Sequence, residues 1–211
     1  MMTLDWLAPP SRHVPYDHLA VTVSRGAYGD LQCGVYINGA HVRPTPLNLR
    51  VRHHLAGSHW IVPPIDAKTT TDAIVLLERI LDRYEAGGLP WGIASRGTHF
   101  AEDGSIQWGP GCTGLTCATF IVTFLRSVGV ELVDDTTWPV PSEDLQADRR
   151  KRIERMAADP ARRAALEAEL HDAKIILPEE VVAACACPMP ASYDEVGPRA
   201  ADVWQALMGT K

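Results

Sequence analysis

One stretch, Gly109–Val130, constrains this chain more than any other: GPGCTGLTCATFIVTFLRSVGV. Glycines 109, 111 and 114, with Pro110, make a tight polar turn, and the residues after it carry no charge until Arg126. Phe120, Ile121, Phe124, Leu125 and Val128 recur at three- and four-residue spacings, which predicts a helix with one face in the core. Ala118, Val122 and the threonines leave its other faces only mildly polar, so the helix is expected to be central. Thr113 or Thr116 can cap it, and either choice puts Cys117 in or beside its first turn. A thiol there meets unpaired backbone N–H groups and the positive end of the helix dipole, both of which favour the thiolate. Cys117 is therefore the candidate nucleophile, with Cys112 in the turn as a lesser one. The competing reading makes either cysteine a small buried hydrophobe.

The rest of the chain is read outward from this helix. Residues 1–16 form an irregular arm. His18–Ser24 alternates and is β-branched, and Leu31–Ile37 follows as a second strand closed by Asn38–Gly39, a strong hairpin signal. Residues 40–43, 48–54 and 59–62 offer further strands, so an antiparallel sheet is expected in the first third. Asp66–Glu85 is an amphipathic helix with Ala73, Leu76, Leu77, Ile80, Leu81 and Tyr84 as its buried stripe, stopped by Gly87–Gly88. Residues 130–133 suggest a short strand. Residues 143–172 read as charged helices broken at Asp159–Pro160, with nearly balanced charge that suits a solvated face or lid. The expected fold class is α+β, an antiparallel sheet against a central cysteine-bearing helix, with an arm at 1–16, a core at 17–141 and a helical region at 142–211.

Composition narrows the function classes. A formal charge of -6 and the lack of an interleaved basic and aromatic surface argue against nucleic acid. No stretch is long and apolar enough for a transmembrane segment. The start lacks the basic and apolar segments of a secretory signal, and five cysteines cannot all pair, so a cytoplasmic protein is expected, or one exported by a leaderless route. Gly109, Gly111 and Gly114 match G-x-G-x-x-G literally, but the upstream hairpins do not supply the alternating strands and helices of a dinucleotide fold. Cys185-x-Cys187 lacks a second ligand pair, so no metal and no cofactor are expected.

A cysteine nucleophile needs a base, usually a histidine held by a third polar group. Of eight histidines, His18 stands out because it opens a strand and can be held rigidly toward a helix start. His41, at the start of the next hairpin arm, is placed to orient it, and the cluster His53, His54 and His59 is a second source of a base.

Gly114–Leu115–Thr116–Cys117 and the apolar helix ending in Gly129–Val130 resemble the cysteine helix of papain-like enzymes of the NlpC/P60 type. Asp17–His18 followed by LAVTV resembles the histidine strand of that family. Because His18 precedes Cys117, the order resembles the circularly permuted branch, which includes lecithin:retinol acyltransferase-like proteins. The resemblance covers roughly residues 17–130, with Thr116–Cys117–Ala118 where the family usually has Asp-Cys-Ser or Asn-Cys. It implies a papain-like fold and an acyl-enzyme formed on Cys117, with His18 as base and His41 or Gln32 as the orienting residue. The oxyanion would be met by the Cys117 N–H at an uncapped helix start, with Gln107 or Thr116 as side-chain donors. Peptide, protein or acylated substrates follow, in a hydrolase of amide, isopeptide or peptide bonds, or in a thioesterase or acyltransferase. A noncatalytic interaction module is the reading from outside enzymology.

Overall fold

A computed structural model describes residues 2–5, 18–25, 31–38, 59–61, 65–84 and 88–209, with side chains for 65–84, 88–155 and 157–203. The fold is α+β. Strands β1 (Met2–Asp5), β2 (His18–Arg25), β3 (Leu31–Asn38) and β4 (His59–Ile61) form one sheet in that order, every neighbour antiparallel. Helix α1 (Ala67–Tyr84) follows, then a two-stranded hairpin of β5 (His99–Phe100) and β6 (Ile106–Gln107), and then α2 (Cys117–Ser127). A 3₁₀ turn at Asp135–Thr137 leads to α3 (Glu143–Met156), α4 (Pro160–Asp172), α5 (Pro178–Ala184) and α6 (Tyr193–Gly209). Helix α2 lies against β2, while α1 and α5 lie against β3. The small antiparallel sheet is thus covered by a helical layer that includes the cysteine helix.

The cysteine helix is central. Every residue from Cys117 to Leu125 is buried, the threonines included. Phe120 packs edge-on to Phe100 and stacks on Phe124, with ring centroids 5.6 and 6.1 Å apart. The helix stops where Gly129 turns to φ +82 and the Val130 N–H returns to the Leu125 carbonyl at 3.0 Å. In α1 the buried stripe is Thr70, Ala73, Leu76, Leu77, Ile80 and Leu81. Tyr84 is half-buried instead, and its hydroxyl accepts the Ile106 N–H at 3.0 Å. Val181, Val196 and Ala200 of α5 and α6 belong to the same cluster as α1 and α2. A second cluster, Ile93, Ile153, Leu166, Leu170 and Ile175, sits under α3 and α4.

Three expectations from sequence need correction. Met2–Asp5, read as irregular, pairs with β2 as an edge strand; four residues carry too little periodicity to be recognised before their partner is known. Residues 130–133 form no strand, only a parallel bridge between Val133 and Ala191. The charged helices α3 and α4 are not merely a solvated face. They bury Arg149, Arg152 and Glu169, because long stems and bonded charged ends can line an interior. The strands expected at 40–43 and 48–54 lie outside the described residues, as does His41.

The turn before α2 depends on the absence of side chains. The loop after α1 runs beside it, bridging Trp91 to Leu115, with the Leu115 N–H on the Pro90 carbonyl at 3.0 Å. A Cβ on Gly114 would lie 2.4 Å from the Trp91 carbonyl, and one on Gly109 only 1.9 Å from the Arg96 carbonyl oxygen. Gly111 differs: it has open space around it but a φ of +74. Gly109→Ala should therefore lower stability by about 1–3 kcal/mol or more through steric displacement, and Gly111→Ala by about 1 kcal/mol through backbone strain alone. Urea unfolding of the two variants should rank them in that order; equal midpoints would refute the close-approach account.

Candidate functional site

The start of α2 is organised by two threonines. Thr116 is the N-cap, and its Oγ1 accepts the Thr119 N–H at 3.1 Å, while Thr119 Oγ1 accepts the Thr116 N–H at 2.7 Å. This reciprocal box satisfies two otherwise orphaned donors. Of the alternatives Thr113 and Thr116, Thr116 is the cap. The helix start is consequently capped rather than bare, as the oxyanion expectation had it, and the Thr116 hydroxyl is engaged within the box. Cys117 is the first residue of the helix, 6% exposed and part of the main core cluster.

The remaining candidate residues fall in different places. His18 is the first residue of β2, the strand against which α2 lies. Asn38 stands opposite it in the β2–β3 ladder. Gln32 pairs with Ser24 instead, six ladder positions from His18. At about 3.4 Å per residue, that is about 20 Å along the strand. The register therefore does not bring Gln32 to His18. Asn38 escaped the sequence reading because Asn38–Gly39 is so strong a turn signal that its strand-end position went unused. His59 opens β4 opposite Ile37. Gln107 is exposed on β6 and pairs with His99 across the hairpin.

The turn itself is pinned by a residue distant in the sequence. Glu169 of α4 is 5% exposed and accepts the Ile93 N–H at 2.6 Å and the Thr113 N–H at 2.8 Å. It thus ties the loop after α1 to the turn before α2. Arg162, two turns earlier on the same face of α4, donates to the Trp91 carbonyl. At the C-terminal end of α2, Arg126 donates to the Ser95 carbonyl at 3.2 Å and pairs with Glu131 at 3.1 Å. Sequence reading missed Glu169 because a glutamate in a charged helix looks solvated until the fold buries it.

Cys112 has a different environment. Its Sγ donates to the Arg96 carbonyl at 3.5 Å, and it lines a cavity of about 820 Å³ between the turn and α4. Burial, aided by the Glu169 carboxylate, pushes its thiol pKa up, against the smaller effect of Thr98. That direction keeps Cys112 protonated and makes it the weaker nucleophile candidate. Cys185 and Cys187 are buried near the α5 end, where Cys187 Sγ donates to the Ala183 carbonyl at 3.4 Å. Among the described residues no group of three or more His, Cys, Asp and Glu side chains comes together as a metal site. Nor is any described helix long and apolar enough to cross a membrane. Trp138 is buried with Nε1 donating to Glu180 Oε2 at 3.0 Å, and Trp91 is half-buried between the two clusters. Trp108 is 38% exposed beside the glycine turn.

Burial raises the Glu169 carboxyl above its ordinary value of 4.5, and the amide donors only partly offset it. Glu180 is raised for the same first reason. A carboxyl raised on folding binds its proton more tightly in the native state. Its contribution is full below pH 4.5 and is lost as pH rises through the folded value. Urea midpoints measured from pH 4.5 to 7 should therefore fall less steeply in Glu169→Gln than in the wild type, whatever its absolute stability. Parallel profiles would show that Glu169 is not perturbed.

Comparison of the chain with protein-family models, curated proteins and solved structures finds no match.

Proposed function

We propose that this protein is a cysteine-nucleophile hydrolase of an amide, isopeptide or peptide bond, built on a permuted papain-like plan. The observation that carries the reading is the meeting of two elements. Cys117 opens a capped, buried helix, and that helix lies against a strand whose first residue is His18. Rigid elements at both ends suit a proton transfer that needs about 2.6–3.2 Å between nucleophile and base. Asn38, opposite His18 in the ladder, takes the orienting role for which His41 and Gln32 were considered.

In this mechanism His18 accepts the Cys117 thiol proton, and the thiolate sulfur attacks the carbonyl carbon. The resulting oxyanion is received by backbone N–H groups of the α2 start, where the helix dipole adds favourable charge. The C–N bond then breaks, and His18 returns its proton to the departing amine. Water, deprotonated by His18, attacks the thioester carbonyl, so the acid product leaves and the thiol is restored. An acceptor other than water in the second step gives an acyltransferase, and a thioester in the first gives a thioesterase; the site chemistry is the same.

Iodoacetamide tests the assignment without a known substrate. Cys117 should alkylate at neutral pH at least about tenfold faster than Cys112, Cys185 or Cys187, as a thiolate does relative to a thiol. His18→Ala should move the rate–pH profile of Cys117 upward, and Asn38→Ala should do so by less. The reading fails if Cys117 reacts no faster than the other buried thiols in the folded protein, or if the His18→Ala profile is unchanged.

A further inference from the structure

The turn before α2 is fastened at three points along its length. At one end the Gly109 N–H donates to the Thr98 hydroxyl at 3.0 Å. At the other, the turn meets the loop after α1 in a single parallel bridge, Trp91 to Leu115. Side chains cannot strengthen that bridge, since a Cβ on Gly92 or on Gly114 would fall 2.4 Å from the opposite backbone. Between the two ends lies Thr113, and both of its donors go to one residue. Its N–H and its hydroxyl reach Glu169 Oε1 at 2.8 and 3.4 Å. Packing gives this part of the turn little support, because a cavity of about 820 Å³ lies between residues 110–113 and the small residues Ala165 and Ala168 of α4.

The other carboxylate oxygen, Oε2, accepts the Ile93 N–H at 2.6 Å. Glu169 thus grips each segment of the bridge two residues from it, Ile93 after Trp91 and Thr113 before Leu115. The grip is rigid, because Leu166 and Leu170 of the same helix are buried with Ile93 in the second cluster. Only a carboxylate offers two acceptor oxygens at this reach; an amide would turn its NH2 toward one of the two N–H groups. The fold keeps that carboxylate 5% exposed, where burial works against its charge. Acidic groups held against burial in this way concentrate at functional sites.

We infer that Glu169 is a positioning residue for Cys117, holding the turn and with it the start of α2. The path runs along the backbone from Thr113 through Leu115 to the N-cap Thr116 and then Cys117. Once Thr113 is released, the cavity gives the turn room to move. The helix-start amides that favour the thiolate then lose their fixed aim at the sulfur. This role rests on the reading of Cys117 as the nucleophile.

The test joins two measurements on the full chain: iodoacetamide rate–pH profiles of the individual cysteines, and hydrogen exchange of residues 109–119. Glu169→Gln removes one of the two acceptors and Glu169→Ala removes both. In each variant Cys117 alkylation at neutral pH should fall at least about tenfold, the cost of losing a hydrogen bond to a charged group. Its profile should move to higher pH, and exchange of the segment should quicken, while Cys185 and Cys187 keep their wild-type rates. Acetate, small enough to enter the cavity, should restore the Cys117 profile in Glu169→Ala, and acetamide should not. Glu180→Gln makes the same change at the other buried carboxylate; it should leave the Cys117 profile in place. A fast wild-type Cys117 whose profile is unchanged in Glu169→Gln and Glu169→Ala would overturn the positioning role alone, even with faster exchange. So would an equal shift in Glu180→Gln, or rescue by acetamide as good as by acetate. A wild-type Cys117 as slow as Cys185 would sink the nucleophile reading itself, and the positioning role with it.

Discussion

The structure depends on one close approach of backbone to backbone. The loop after α1 and the glycine turn before α2 run side by side, near enough that Gly92 and Gly114 exclude any side chain between them. That contact sets where α2 begins and aims the helix into the core. Hydrogen bonds from Leu115 to Pro90 and from Gly109 to the Thr98 hydroxyl, both 3.0 Å, keep the pair in register. With α2 placed, the aromatic stack of Phe100, Phe120 and Phe124 and the packing of α2 on β2 follow.

Buried carboxylates then join distant segments to this frame. Glu169 gathers amides from the loop and the turn, and Glu180 joins the Trp138 indole to the Leu177 amide at the start of α5. Each carboxylate loses solvation on burial and regains part of it from donors that themselves need acceptors. The arrangement explains how a highly charged stretch, α3 to α5, becomes part of the interior. It also places α4 over the turn that leads to Cys117, so the C-terminal half is structurally coupled to the candidate site.

The two cysteines flanking that turn have been separated by the fold. Cys117 sits at the head of the central helix, buried in the main core cluster. Cys112 lines the groove under α4, where burial favours its protonated form.

Local signals determined much of this protein. The three- and four-residue spacings of α1 and α2, the alternation of β2 and β3, and a threonine cap just before Cys117 were legible because each depends on residues within a few positions. The α+β class followed from their order, and the candidacy of Cys117 from its place at a helix start. Tertiary structure alone decided what depends on distant partners. It made Met2–Asp5 an edge strand, put Asn38 rather than Gln32 opposite His18, and buried Glu169. Register and burial are properties of pairs of segments, and no single segment carries them.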